Sequence, residues 1–316
     1  MTIPAAGPLG KIVGAGDVIS VSGKPAGTGA SSLIMLNRLA FVTDGKIDED
    51  AGRALLRWAS GTGLGQDDQQ VRQVADRRAR AVAALRASGQ AVGRLRAEPE
   101  WRLAAGIGNR ANAHEIGLSL HGTYGWPVIP GSSLKGLAAA WAAASDADAA
   151  EVAKVFGGPR PPAGTDQPRQ PRERRTARRG SVRFLDAIPA DGPVRVVLDV
   201  LTPHVKPYYD KTVPASGTAV ARSAGGQPDT AHPGRARPAG GGRLPAPAEH
   251  HNPVPISFLT VTGAFAVDLY GPDAGDVAKA AQWLIDAGAE LGAGAKTAAG
   301  YGYLKLTWLE RPEDLR

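Results

Sequence analysis

Cysteine is absent from the 316-residue chain, which excludes disulfides, thiolate nucleophiles and cysteine-ligated metals. No stretch approaches the ~20 consecutive apolar residues that a membrane-spanning helix needs. Residues 1–16 lack a basic segment followed by an unbroken apolar run, so no secretory signal is read there. The expectation is a cytoplasmic protein. Aromatic residues are scarce at 5%, while Gly (41) and Pro (25) are plentiful. That balance predicts long irregular segments around a compact centre. No Gly-x-Ser-x-Gly elbow occurs, and no cluster of carboxylates suggests two-metal chemistry.

What is present is positive charge. The formal net charge is +7 and the pI about 9.8, and polyanions are the usual partners of such a chain. The distribution is more telling than the total. Residues 159–180 carry seven arginines (160, 169, 172, 174, 175, 178 and 179) against Asp166 and Glu173. Residues 205–250 form a second long insert with seven Pro and seven Gly, and with Lys206, Lys211, Arg222, Arg235, Arg237 and Arg243. Loops of that length inside a domain are functional or disordered.

Periodicity divides the chain at 98/99. Residues 1–98 read as an N-terminal extension: 1–30 rich in Gly, Ser and Pro, short helices over 32–41 and 48–59, and a longer helix over 67–96. On that helix Val71, Val74, Ala75, Val82 and Leu85 share one face, and Arg72, Arg77 and Arg80 lie off it, as a solvated surface or as a nucleic-acid contact. Residues 99–316 read as α+β. Trp101, Leu103, Ala105 and Ile107 alternate as a strand would. A helix opened by Pro130-Gly131-Ser132-Ser133 follows, with Leu134, Leu137, Ala138 and Trp141 on one stripe. Strands are expected at 181–188, 194–201, 256–270 and 301–309, and a helix at 275–291. The order β, α, β, β, β, α, β is close to the βαββαβ plan with one extra strand.

Four patterns bear on chemistry. The run Gly292-Ala-Gly-Ala-Lys-Thr-Ala-Ala-Gly300 invites a nucleotide-binding P-loop, yet Ala295 precedes the lysine where glycine is required, and a helix precedes the loop where a strand should. What remains is a glycine loop able to expose amides to a polyanion, with Gly294, Lys296 and Thr297. The start of the 130s helix has a partial positive charge, with Ser132 or Ser133 as its cap and Lys135 in its first turn, where a lysine opposes the helix dipole. An incidental lysine on an ordinary capped helix and an anion site both fit. His121 has a pKa near neutrality and suits either a structural role or that of a general base. His114, Glu115 and His121 do not have metal-ligand spacing, so no metal and no cofactor is expected. Finally, 201–211 mixes Tyr208 and Tyr209 with His204, Lys206 and Lys211, a combination that suits single-stranded RNA. On the last helix, Trp283 falls with Lys279, Asp286 and Glu290 opposite the apolar face, which suggests either an interface for a protein partner or cover by the N-terminal extension.

Three blocks together resemble the RAMP superfamily of CRISPR-associated proteins, and within it the sixth subunits of type III-B Cmr effector complexes. They are GIGNRANAHEIGLSLHGTYGWPVIPGSSLKG at 106–136, LTPHVKPYY at 201–209 with NPVPISFLTV at 252–261, and LGAGAKTAAGYGYLKL at 291–306. The resemblance implies a ferredoxin-like (RRM-like) core with a mainly helical extension and basic loop insertions. It implies a non-catalytic subunit near the 3′ end of a guide RNA, in contact with target RNA through that guide and with other RAMP and small subunits. Carried over, Gly131, Ser132, Ser133, Lys135, Gly294, Lys296 and Thr297 become guide-backbone contacts, with His121, His204, Lys206, Tyr208 and Tyr209 as further RNA-binding residues. The rival is a metal-independent endoribonuclease that processes CRISPR transcripts, for which His121 with Lys135 is the best pair.

Overall fold

The computed structural model describes residues 5–6, 32–38, 40–43, 46–47, 49–62, 64, 66–107, 116–158, 179–202 and 255–312. Contacts divide the chain into two units, Met1–Asp199 with Phe258–Arg316, and Val200–Ser257. All that follows on the core and the site concerns the first unit.

A period-two segment lies at its centre. Strand β4 (Ala91–Pro99) turns Leu95 and Ala97 into the core and Arg94 and Arg96 the other way. The sheet has the order β10-β4-β9-β5, with β6 also paired to β9. Here β5 is Arg183–Phe184, β6 is Ile188–Pro189, β9 is Phe265–Gly271 and β10 is Leu304–Glu310. Every pairing is antiparallel. Phe265, Val267 and Leu269 of β9 and Leu304 and Leu306 of β10 join Leu95 in one apolar core. Two helices complete that core. Helix α4 (Gly131–Ala144) contributes Leu134, Ala138 and Ala142, and α6 (Ala274–Glu290) contributes Val277, Ala280, Ala281 and Leu284.

The opposite face of the sheet is polar and carries α3 (Asp68–Ala87). Asp268, almost wholly buried, lies opposite Arg94 in register and accepts from Arg94 Nε at 2.8 Å and Arg78 Nη1 at 3.1 Å. Arg94 continues to Glu310, which also pairs with Arg86. The two guanidinium groups offset the desolvation of this buried carboxylate, and removing them would leave it uncompensated.

Helices α1 (Ser32–Arg38) and α2 (Glu49–Thr62) add Met35, Leu36, Leu55 and Trp58 to the same core, and β1 (Ala5–Ala6), β2 (Ala40–Thr43) and β3 (Lys46–Ile47) form a small sheet. Helix α5 (Ala149–Phe156), capped by Asp148, follows α4, and β7 (Arg195–Leu201) pairs with β8 (Ile256–Thr262).

Several expectations are corrected. The helix expected to reach 96 ends at Ala87, because Gly89 adopts φ 80° and Gln90 N turns back to Leu85 O. The strand that follows, β4, contains the expected 98/99 division. The helix expected over 32–41 stops at Arg38, with Phe41 in β2. The strand expected at 101–107 reduces to one bridge, Leu103 to Val261. The long strand at 256–270 is two strands joined at Gly263, φ 113°. That at 181–188 is split into β5 and β6, both on β9.

Candidate nucleic-acid interface

Helix α4 begins where the chain, bridged at Ile129 to Ala187, must turn past β5. Only glycine fits there, since a Cβ on Gly131 would lie 2.3 Å from Phe184 O. The helix carries no side-chain cap from its own first turn. The cap expected from Ser132 or Ser133 is instead supplied from β5–β6, where the Asp186 carboxylate accepts from Gly131 N at 2.7 Å. Ser133 N and Leu134 N donate to Pro130 O, and both serines are exposed. An anion therefore already occupies the tip of this helix, and it belongs to the protein.

Beside that tip the charge is positive. Lys135 is partly buried, and its pKa is held below the ordinary lysine value by desolvation, with repulsion from Arg183 and Arg179 adding to it. Arg183 donates to Ser181 O at 3.1 Å and lies 6.0 Å from the Tyr270 ring. Among the described residues, none of these three cations has a carboxylate within ion-pairing distance. Three like charges without a counter-ion are unfavourable until an anion neutralises them.

His121 interacts with Asp186 and with Arg78, but its environment is set mainly by burial, which lowers its pKa; Asp186 opposes that shift and Arg78 adds to it. Its Nδ1 accepts from Thr123 N at 3.1 Å and Tyr124 N at 3.4 Å. An imidazole that accepts at Nδ1 keeps its proton on Nε2, so the basic nitrogen is already engaged. The ring packs 4.7 Å from Tyr124, which meets Trp126 edge-on.

The glycine loop connects α6 to β10. Gly292, Gly294, Gly300 and Gly302 all take positive φ, and so does Lys296 at 61°. Ala293 N donates to Gly302 O, Ala295 N to Ala104 O and Gly302 N to Arg102 O, at 2.7 to 2.8 Å. A Cβ on Gly302 would lie 1.9 Å from Ala293 O. Among the described residues, the amides of Gly294, Lys296 and Thr297 have no protein acceptor. Lys296 Nζ stands 5.0 Å from the Phe258 ring centroid and has no carboxylate partner among the described residues. Left-handed residues between free amides make a concave surface suited to phosphate oxygens.

Sequence reading missed the cluster that abuts this loop. Trp101 lies 4.8 Å from Tyr301, and Asp199 receives both the Tyr301 hydroxyl at 2.7 Å and Arg102 Nη1 at 2.5 Å. Burial, the bond to Asp199 and its charge push the Tyr301 phenol up to about 12. Asp199 was recognisable as a strand residue, but its partners are about a hundred residues away.

The remaining expected residues fare differently. His204, Lys206, Tyr208 and Tyr209 lie outside the described residues, as do nearly all of both basic inserts. Trp283 is not a free interface. It is 9% exposed, and its ring stacks on Phe156 of α5 at 5.6 Å. A helical wheel placed it on the polar side because the α5 helix that covers it was not anticipated. Among the described residues no group of three or more His, Asp or Glu is placed to hold a metal ion, and no helix is long and apolar enough to cross a membrane.

An α+β core with an antiparallel sheet, two helices on one face and a glycine loop leading into its edge strand defines the class of protein. The chain belongs to the RAMP superfamily, whose family model matches residues 59–305. A curated relative, the CRISPR system Cmr subunit Cmr6 of Pyrococcus furiosus, is 33% identical over 132 residues, which are 40% of this chain and 30% of that protein. The match thus spans about a third of the relative's length. Among solved structures, a chain in the type III-B Cmr-beta complex bound to cognate target RNA superposes with TM-score 0.51 at 18% identity, covering 82% of this chain and 72% of that one. The crystal structure of Cmr6 from Pyrococcus furiosus, 22% identical, covers 68% of this chain and 97% of its own at TM-score 0.32.

Proposed function

We propose that the chain is a non-catalytic, crRNA-binding structural subunit of a type III-B CRISPR (Cmr) RNA-targeting complex, acting in antiviral defence near the 3′ end of the guide. In this reading β4-α4-β5/β6-β9-α6-β10 is a ferredoxin-like core, and the antiparallel order β10-β4-β9-β5 supports it. The likeness to the Cmr subunit supports membership of the complex, and its partners are guide RNA, target RNA through the guide, and neighbouring RAMP and small subunits.

The observation that carries the reading is the glycine loop, where, among the described residues, the amides of Gly294, Lys296 and Thr297 have no protein acceptor and Lys296 Nζ has no carboxylate partner. Such a site holds a phosphate backbone without reading its sequence, which a subunit serving many guides requires. Lys135, Arg179 and Arg183 supply a second patch, with no counter-ion among the described residues. The non-catalytic role is supported by His121, whose acceptor nitrogen is taken by two backbone amides. A general base needs that nitrogen free.

Salt dependence tests the reading. Reconstituted with its complex, the wild-type chain should bind guide RNA with an affinity that falls steeply with salt, by a log–log slope of about −0.7 per phosphate neutralised. Changing Lys135 and Lys296 together to Ala should weaken binding and flatten that slope. Unchanged affinity in the double variant sinks the proposal. Incubation of the chain with repeat RNA in EDTA should give no cleavage; cleavage lost on His121→Ala would put the endoribonuclease first.

A further inference from the structure

We propose that Trp101 is a stacking platform for an unpaired nucleobase, set at the edge of the glycine loop. The inference rests on the nucleic-acid reading above and names how that site would hold a base as well as a backbone.

Trp101 is 51% exposed. Trp58, Trp126 and Trp283 are buried, and Trp141 and Trp308 are partly covered against the core. An exposed indole would ordinarily be free to change rotamer, yet this one is held. The Tyr301 ring packs at 4.8 Å, and the Arg102 guanidinium lies 5.0 Å from the indole centroid. Asp199 fixes both neighbours through the Tyr301 hydroxyl and Arg102 Nη1. Phe258 meets the Tyr301 ring edge-on at 5.6 Å, and Lys296 Nζ lies over the Phe258 ring at 5.0 Å. One connected set of contacts therefore runs from the exposed indole to the cation of the glycine loop.

The backbone ties the two together as well. Gly302 N donates to Arg102 O and Ala295 N to Ala104 O, so 102–104 runs alongside the loop. A strand whose phosphate meets the free amides of Gly294, Lys296 and Thr297 has its bases beside that segment. The surroundings argue against a docking surface for a protein. Leu103, Ala104 and Ala105 are buried, and Glu100, Gly294, Ala298, Ala299 and Gly300 are the exposed neighbours along the two segments. Those residues are small or charged and do not extend the indole into an apolar patch. A single rigid aromatic beside backbone-binding groups is the arrangement used for single-stranded nucleic acid, where any base can stack.

The test uses the full chain and a labelled single-stranded RNA of mixed sequence, alongside a strand of the same length with abasic nucleotides. Trp101→Ala should weaken binding of the base-containing strand about ten-fold. The log–log salt slope should stay unchanged, because no charge is lost. Trp101→Phe should recover most of the affinity, and the abasic strand should bind wild type and Trp101→Ala equally. Unaltered binding in Trp101→Ala, or an equal loss on the abasic strand, overturns the proposal. The two readings fail differently: if Lys296→Ala weakens binding and Trp101→Ala does not, only the stacking role falls. If the wild-type chain binds neither strand, alone or reconstituted with its complex, the nucleic-acid reading falls and the stacking role with it. A thermal melt of Trp101→Ala within a few degrees of wild type would confirm that the variant is folded.

Discussion

The start of α4 and the glycine loop before β10 looked alike as sequence, each a glycine-rich segment with a lysine and small polar residues. In the fold they are opposites. At the helix start the first amide is taken by Asp186, the next turn is closed by Pro130 O, and the cations stand to one side. In the glycine loop the bonds to Ala104 and Arg102 fix the backbone and, among the described residues, leave the amides of Gly294, Lys296 and Thr297 without an acceptor. A helix N-terminus is a ready anion site only while no internal carboxylate reaches it first. A loop in left-handed conformations is one whenever its acceptors lie on the inner side.

The largest test of this contrast is steric. Gly302→Ala places a Cβ against Ala293 O at a φ of 82°, whereas Gly300→Ala, at φ 88°, meets open space. The first should lower the unfolding free energy by about 3 kcal/mol or more, and the second by about 1–2 kcal/mol, the strain of a left-handed residue alone. Urea denaturation measures both, and equal losses would mean that the loop is not braced at 293–302.

Asp186→Ala breaks the comparison from the other side. Losing the acceptor for Gly131 N should cost about 1–2 kcal/mol of stability, the usual value of an N-cap. Affinity for single-stranded RNA should rise in the same variant, because the helix tip becomes an open anion site beside Lys135. Stability read by thermal melts and affinity read by titration should move in opposite directions; a fall in both would tie Asp186 to the RNA site itself.

The smallest effect is on pH. The folded pKa of His121 lies below its ordinary value, so the unfolded chain takes up this proton first. The neutral-His contribution to stability is therefore full above about pH 6.5 and is lost as pH falls below that value toward the folded pKa. Chemical denaturation between pH 7.5 and 5.5 should show a shallower decline in His121→Gln than in wild type. An identical decline would remove His121 from the acid sensitivity of the fold.

Helical faces were legible in advance. Val71 and Val82 of α3, Leu134 and Ala138 of α4, and Val277, Ala280, Ala281 and Leu284 of α6 are all buried as their spacing requires. Strands were harder to read for two physical reasons. In β4 the outward side carries Arg94 and Arg96, which read as a helix surface until Asp268, Glu310 and Asp191 supply their partners. Over 256–270 both faces of β9 are buried, so no alternation survives, and Gly263 alone marks the turn. Trp101 and Trp283 exchanged roles. The one expected in a strand is exposed, and the one expected at the surface lies under Phe156. Burial of a large side chain depends on which distant element covers it, and periodicity within one element carries no information about that.

By itself the sequence determined the buried faces of α3, α4 and α6, the glycine positions and the excess of positive charge, because these follow from local sterics, short-range periodicity and composition. Only the tertiary structure decided which amides and which cations remain available. Their competitors, Asp186 for Gly131 and Ala104 for Ala295, lie 55 and 191 residues away along the chain and meet them only after folding.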